Sequence, residues 1–214
     1  MNRVLPLLLA AAGLCTASRV SGQGTTLDPK SLQVFNRTAT GVKDGTRSGL
    51  HLSAAADNGI AYLKGVELGN GTIELDIRGK DVQGQSFVGV AFHGLDDTTY
   101  DAVYFRPFNF KTDDSTRHSH AVQYVSHPTY PWQKLRAEHP GEYEKSVTPA
   151  PDPSGWFHVR VVVASPKVSV YVAQATEPSL VVSQLSQRGR GRVGLWVGNG
   201  SDGDFANLKI VPKE

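Results

Sequence analysis

The sequence predicts an all-β fold, a two-sheet antiparallel sandwich of the jelly-roll kind. Three observations carry this. Apolar and polar residues alternate with period two in several short runs, 22 glycines and 12 prolines punctuate the 214 residues, and no long helical period appears. Many short alternating strands joined by glycine-rich turns can bury one face each only by packing sheet on sheet or closing a barrel.

The N-terminus reads as a leader that is processed before folding matters. Arg3 supplies a short positive region, Val4 to Ala17 an apolar stretch, and Val20-Ser21-Gly22 small residues at a cleavage spacing. Residues 1–22 are therefore expected to be a signal peptide, 23–31 a flexible lead-in, and 32–214 one sandwich domain. The mature protein is expected to be secreted or periplasmic, with no membrane insertion after signal cleavage. Leu14 stands before Cys15 where a lipid-anchoring signal wants a small residue, which argues against an anchor. Cleavage removes Cys15, the only cysteine, together with Arg3 and Arg19. The 22 basic and 20 acidic residues then become 20 and 20. A neutral balance argues against a nucleic-acid partner.

Thr72–Arg78 is the clearest strand, with Ile73, Leu75 and Ile77 buried and Thr72, Glu74, Asp76 and Arg78 wet. Ser86–His93 carries small or apolar residues on both faces, which suits a central strand between the core and a groove. Ala102–Arg106 follows and Pro107 ends it. Ala121–Val125 is another short strand. Trp156–Val163 turns at Ser165-Pro166-Lys167 into Val168–Val172. Arg192–Val197 places Val193, Leu195 and Val197 inward and Trp196 outward, and Phe205–Ile210 closes the chain.

The motifs Gly71-Thr72-Ile73-Glu74-Leu75-Asp76-Ile77, Phe87-Val88-Gly89-Val90-Ala91-Phe92, Gly191-Arg192-Val193-Gly194-Leu195-Trp196-Val197 and Asp204-Phe205-Ala206-Asn207-Leu208 resemble the concanavalin A-like lectin/glucanase superfamily. Within it the chain is similar to laminin-G-like domains and to the 3-keto-disaccharide hydrolase group, itself likened to glycoside hydrolase family 16. The resemblance implies a sugar-handling scaffold, and one such fold hosts many activities. Two departures matter. Family 16 enzymes carry Glu-x-Asp-x-x-Glu on one strand, whereas here Arg78-Gly79 follows Glu74 and Asp76 without a third carboxylate. The Asn-Ser-Gly and Tyr-Glu-x-Gln segments of the hydrolase group are not intact. The resemblance also implies a structural calcium at Asp204, just before the last strand, where the alternative is an ordinary turn aspartate. No organic cofactor is expected.

The densest unusual chemistry runs from His93 to Glu144. Alternation puts Tyr104 and Arg106 on one face, where a guanidinium among rings would bind a carboxylate or sugar hydroxyls. The alternative is pairing with a neighbouring acid such as Asp101. Ser126–Trp132 reads as a loop of rings stiffened by Pro128 and Pro131, and Trp132 and Trp196 offer flat faces suited to sugars. These rings could equally pack onto the sandwich edge. His118-Ser119-His120 reads as exposed loop histidines or, alternatively, as a metal pair.

The expected function is thus an exported carbohydrate-active protein, hydrolase- or lyase-like, acting on an oligo- or polysaccharide in a concave groove. Tyr104, Arg106, Asn109, Gln123, His127, Trp132 and Trp196 would bind the substrate, and His93 or Glu138 would act as acid/base. A non-catalytic glycan-binding module, or a structural or adhesive domain, are the alternatives.

Overall fold

The computed structural model describes residues 27–213. The leader with Cys15, and residues 23–26, lie outside them. Of the lead-in, Pro29–Ser31 forms a 3-10 turn capped by the Asp28 side chain, which accepts from the Lys30 N–H. Among the described residues no helix is long and apolar enough to cross a membrane.

Two seven-stranded antiparallel sheets pack face to face. The first, here the groove sheet, runs in spatial order β1 (Leu32–Phe35), β4 (Gly59–Leu68), β13 (Gly191–Val197), β6 (Val88–Gly94), β7 (Tyr100–Phe105), β8 (Val122–His127) and β9 (Glu144–Lys145). The second, the far sheet, runs β12 (Leu180–Ser183), β11 (Lys167–Val172), β10 (Trp156–Ala164), β5 (Gly71–Arg78), β14 (Gly203–Pro212), β3 (Arg47–Leu52) and β2 (Ala39–Asp44). This is the jelly-roll sandwich the alternation predicts.

The far sheet follows period two closely. On β10, Phe157, Val159, Val161 and Val163 are buried, and they align with Ile77, Leu75, Ile73 and Gly71 of β5. The groove sheet does not alternate in burial. All of β6 and β7 is buried, because loops and a short helix cover the outer face. The covering helices are α1 (Ser115–His118) and α2 (Trp132–Glu138). The second begins at Trp132, the last residue of the stretch read from sequence as a loop. Pro131 precedes it as N-cap, and Leu135 is the residue it buries.

A bulge decides one central feature. Pairing of β13 with both β4 and β6 shifts register between Arg192 and Gly194, opposite His93 of β6. His93 has φ +49°, in the left-handed region. An extra residue on one strand breaks the alternation there. Gly89 and Ala91 stand on the groove side, and strict alternation would place His93 beside them. The bulge turns it between the sheets instead.

Candidate functional site

The floor of the site is one row of residues across five strands of the groove sheet. Trp196 pairs with Gly89, Gly89 with Tyr104, Tyr104 with Gln123, and Gln123 with Glu144. Gly89 leaves the middle of the row empty. A Cβ there would meet the Tyr104 Cα at 2.6 Å and its Cβ at 2.8 Å. Because Gly89 has no side chain, the rings of Tyr104 and Trp196 approach across it to 4.8 Å between centroids. The Trp196 indole N–H donates to the Tyr100 hydroxyl at 3.1 Å, which fixes the ring.

Arg106 lies over this floor. Its guanidinium carbon is 4.9 Å from the centre of the Tyr104 ring and 5.8 Å from that of Phe87. Nη2 donates to the Tyr104 hydroxyl at 2.7 Å and to Gln123 Oε1 at 2.5 Å, and Nη1 donates to the His120 carbonyl at 2.8 Å. The Tyr104 hydroxyl donates in turn to Gln123 Oε1 at 3.0 Å. Burial pushes the Tyr104 phenol up to about 12, against the opposing pull of Arg106. Burial also lowers the Arg106 pKa from its usual value, with Tyr104 and Glu144 opposing. Gln123 is thus a buried clamp for Tyr104 and Arg106.

Glu144 ends the row, 3% exposed. Arg136 of α2 holds it bidentately, Nε to Oε1 at 2.8 Å and Nη2 to Oε2 at 2.7 Å. His120 Nε2 is 3.3 Å from Oε1, and Arg106 Nη1 is 3.7 Å from Oε2. Burial lowers the His120 pKa below its ordinary value, the Glu144 charge opposing. Above the row lies a hollow of about 320 Å³. Phe87, Tyr104, Phe108, Trp132 and Trp196 supply its rings, Asn58, Gln83, Asn109 and Asn199 its amides, and Arg106, Arg117, Arg136 and His120 its cationic or titratable groups.

Five of the sequence-predicted binding residues, Tyr104, Arg106, Asn109, Trp132 and Trp196, line this one hollow. Asn109 sits on the 3-10 turn after β7 and accepts from Arg117 Nε at 3.3 Å. Gln123 stands directly behind the hollow. His127 lines an adjoining depression that shares Asn58, Tyr104, Trp132, Trp196 and Asn199 with it, so the two form a continuous groove. The suggested pairing of Arg106 with Asp101 does not form. Asp101 points between the sheets to Arg188 at 2.8 Å.

The two expected acid/base residues are not brought to this groove. His93 is fully buried between the sheets, with Nε2 3.0 Å from the Gly69 carbonyl oxygen and Nδ1 3.1 Å from the Gln184 amide nitrogen. The bulge at Arg192–Gly194 is the reason. Glu138 is at the exposed C-terminal end of α2, 4.0 Å from Lys134. Glu74 and Asp76 lie on the outer face of the far sheet, where Asp76 accepts from Asn207 at 2.7 Å and meets His158 at 2.9 Å.

Asp204 does not fit calcium. Its Oδ1 faces His51 Nδ1 at 2.7 Å, and its Oδ2 accepts from Arg78 Nε at 2.9 Å and Nη2 at 2.7 Å. A calcium ion needs six to eight converging oxygens, whereas this carboxylate already faces a guanidinium and an imidazole. Among the described residues no group of three or more His, Cys, Asp or Glu side chains is placed to hold a metal. His118 and His120 do not form a metal pair, since His120 turns to Glu144.

Sequence reasoning passed over Glu144, Arg136 and Asn58 as groove residues. Sequence reasoning reads His120 only as an exposed loop histidine or half of a metal pair, and Arg117 only as the residue before that pair. Glu144 was the findable one, since its two-residue strand extends the row that period two assigns to Tyr104 and Gln123.

No protein-family model matches the chain, and no curated protein matches it. Solved structures do match. The carbohydrate-binding module CBM66 from Bacillus subtilis aligns with TM-score 0.61 and 14% identity, over 85% of this chain and 95% of that one. A candidate glycosyl hydrolase from Parabacteroides distasonis aligns with TM-score 0.53 and 15% identity, over 88% and 91%. The exoplasmic/lumenal domain of VIP36, in a form bound to Ca2+ and Man3GlcNAc, aligns with TM-score 0.53 and 8% identity, over 88% and 86%. These are concanavalin A-like sandwiches, and the chain has their fold.

Proposed function

We propose that this chain is an exported carbohydrate-binding module that holds a saccharide in the groove without cleaving it. The observation that carries this reading is the groove wall itself. Stacked rings, amides and guanidiniums face the hollow, and the carboxylates proposed for chemistry lie elsewhere. Flat rings suit the C–H faces of a sugar and fixed amides its hydroxyls. Cleavage by two carboxyl groups needs a pair across the scissile bond, whereas Glu144 at the end of the floor row is buried and held by Arg136, and Asp57 is the one carboxylate lining the adjoining depression. The carbohydrate-binding and mannoside-bound neighbours support the same direction. The leader pattern supports export.

One observation favours a lyase-like second reading. His120 lines the hollow 3.3 Å from Glu144 and is an imidazole able to take a proton. A glycan array run beside an assay of bond cleavage on the same glycans separates the two. Binding without new reducing ends or ultraviolet-absorbing unsaturated products is the expected result, and turnover that disappears in His120→Ala would overturn it. Trp132→Ala, at a ring 40% exposed, is expected to weaken binding about tenfold with the melting temperature unchanged.

A further inference from the structure

The charges of the groove name a class of sugar. Three guanidiniums line the hollow, Arg106, Arg117 and Arg136, and no Asp or Glu is among the lining residues. One carboxylate, Glu144, stands behind the wall, and its oxygens are already held by Arg136. Arg117 donates only to neutral oxygens, Asn109 Oδ1 at 3.3 Å and the Phe108 carbonyl at 3.2 Å. Arg106 is 5% exposed and its hydrogen bonds go to a hydroxyl, an amide and a carbonyl. The wall therefore carries about two positive charges beyond its single counter-charge, in a chain whose whole formal charge is only +2.

Holding one buried and two partly exposed guanidiniums together over a single counter-charge costs free energy, and an anion that fits between them offsets it. A planar fork matches the oxygens of a carboxylate or a sulfate. The adjoining depression around His127, Pro131 and Gln133 has no guanidinium in its wall and carries one carboxylate, Asp57. A neutral sugar unit suits that end.

We infer that the groove selects an anionic saccharide, with a carboxylate or sulfate group of the sugar seated among Arg106, Arg117 and Arg136 and its ring against Tyr104, Trp132 and Trp196. This rests on the carbohydrate-binding reading and deepens it.

Titration calorimetry of the full mature chain against matched pairs tests it. One arm is oligogalacturonate beside its methyl ester. A second is sulfated galactan oligosaccharide beside its desulfated form. A third is neutral gluco-, manno- and fructo-oligosaccharides. The expected result is binding at least about tenfold tighter to the acidic member of one pair at physiological salt, weakening as salt rises. The pair that discriminates tells carboxylate from sulfate. Arg117→Gln, at a partly exposed side chain, is expected to lose about tenfold on the acidic sugar and to narrow its advantage over the neutral partner by a similar factor. Equal affinity within both pairs, or binding confined to the neutral sugars, overturns the anionic assignment and leaves the carbohydrate reading standing. Binding to no saccharide in any arm overturns both.

Discussion

Both outer faces of the sandwich set arginines against aromatic rings, and they complete those arginines differently. On the far sheet, Arg47 and Arg78 flank the Trp156 ring at 4.9 Å and 4.8 Å. Arg78 is bonded to Asp44 at 2.8 Å and to Asp204 at 2.7 Å, and Arg47 lies 3.3 Å from Asp76. Both of these cations have a carboxylate, while Arg160, over the Tyr171 ring at 3.6 Å on the same face, rests on the ring alone. On the groove sheet Arg106 sits over Tyr104 at the same 4.9 Å, but its closest partners are a phenol, an amide and a carbonyl. A cluster whose charges close on themselves, as around Trp156, is a finished surface. Three guanidiniums that share the single carboxylate of Glu144 have capacity left for an anion from outside.

The comparison can be broken most forcefully at Arg106. Arg106→Leu removes the group that ties Tyr104, Gln123 and the His120 carbonyl together. It is expected to cost about 3 kcal/mol in chemical denaturation, because buried polar partners are left unpaired, and to abolish saccharide binding. A variant that keeps full affinity would deny Arg106 its place in the site.

Gly89→Ala comes next. Its new Cβ must push Tyr104 from the floor row, at about 2 kcal/mol of overpacking, and separate the two stacked rings. Denaturation should show the loss, and calorimetry a weaker saccharide complex.

The far face sharpens the contrast by responding little. Arg78→Gln breaks partly exposed ion pairs, expected to cost no more than about 1 kcal/mol, and saccharide affinity should not change. With Asp204 committed to Arg78 and His51, chelator should leave the melting temperature where it was. A chelator-dependent fall absent in Asp204→Ala would reinstate calcium.

The smallest effect concerns pH. Burial lowers the pKa of His127 and of His120. As pH falls through the ordinary histidine range, near 6.5, the unfolded chain takes up these protons before the folded one does. Stability therefore falls as pH drops from about 7 toward the lowered folded values. His127→Gln should flatten that decline by about 2 °C in melting temperature, read between pH 7 and 5.5.

Much of the fold was legible because burial on the far sheet repeats every second residue. Ile73, Leu75, Ile77 and the Val-rich β10 and β11 announce themselves by composition. The first strands do not. On β2 every residue is partly or fully exposed, and on β4 the run Gly59–Leu63 is buried continuously. Neither offers an alternation to read. Within the site, Tyr104, Arg106, Gln123 and Trp196 could be assigned to one side of their strands by parity alone. His93 could not, because a bulge opposite Gly194 cancels parity at that point, and no residue type signals it.

The sequence by itself determined a β-sandwich with rings and an arginine gathered between Tyr104 and Trp132, since alternation and turn residues are local properties of the chain. Only the tertiary structure decided that Gly89 lets two rings from different strands meet, that Glu144 serves Arg136, and that His93 and Glu138 stand apart from the groove. Those depend on which strands become neighbours and in what register. The charge of the groove belongs to the second kind. Arg106, Arg117 and Arg136 are spread over 31 positions of a chain with almost no net charge, and they become one wall only when β7, α1 and α2 fold onto the same face.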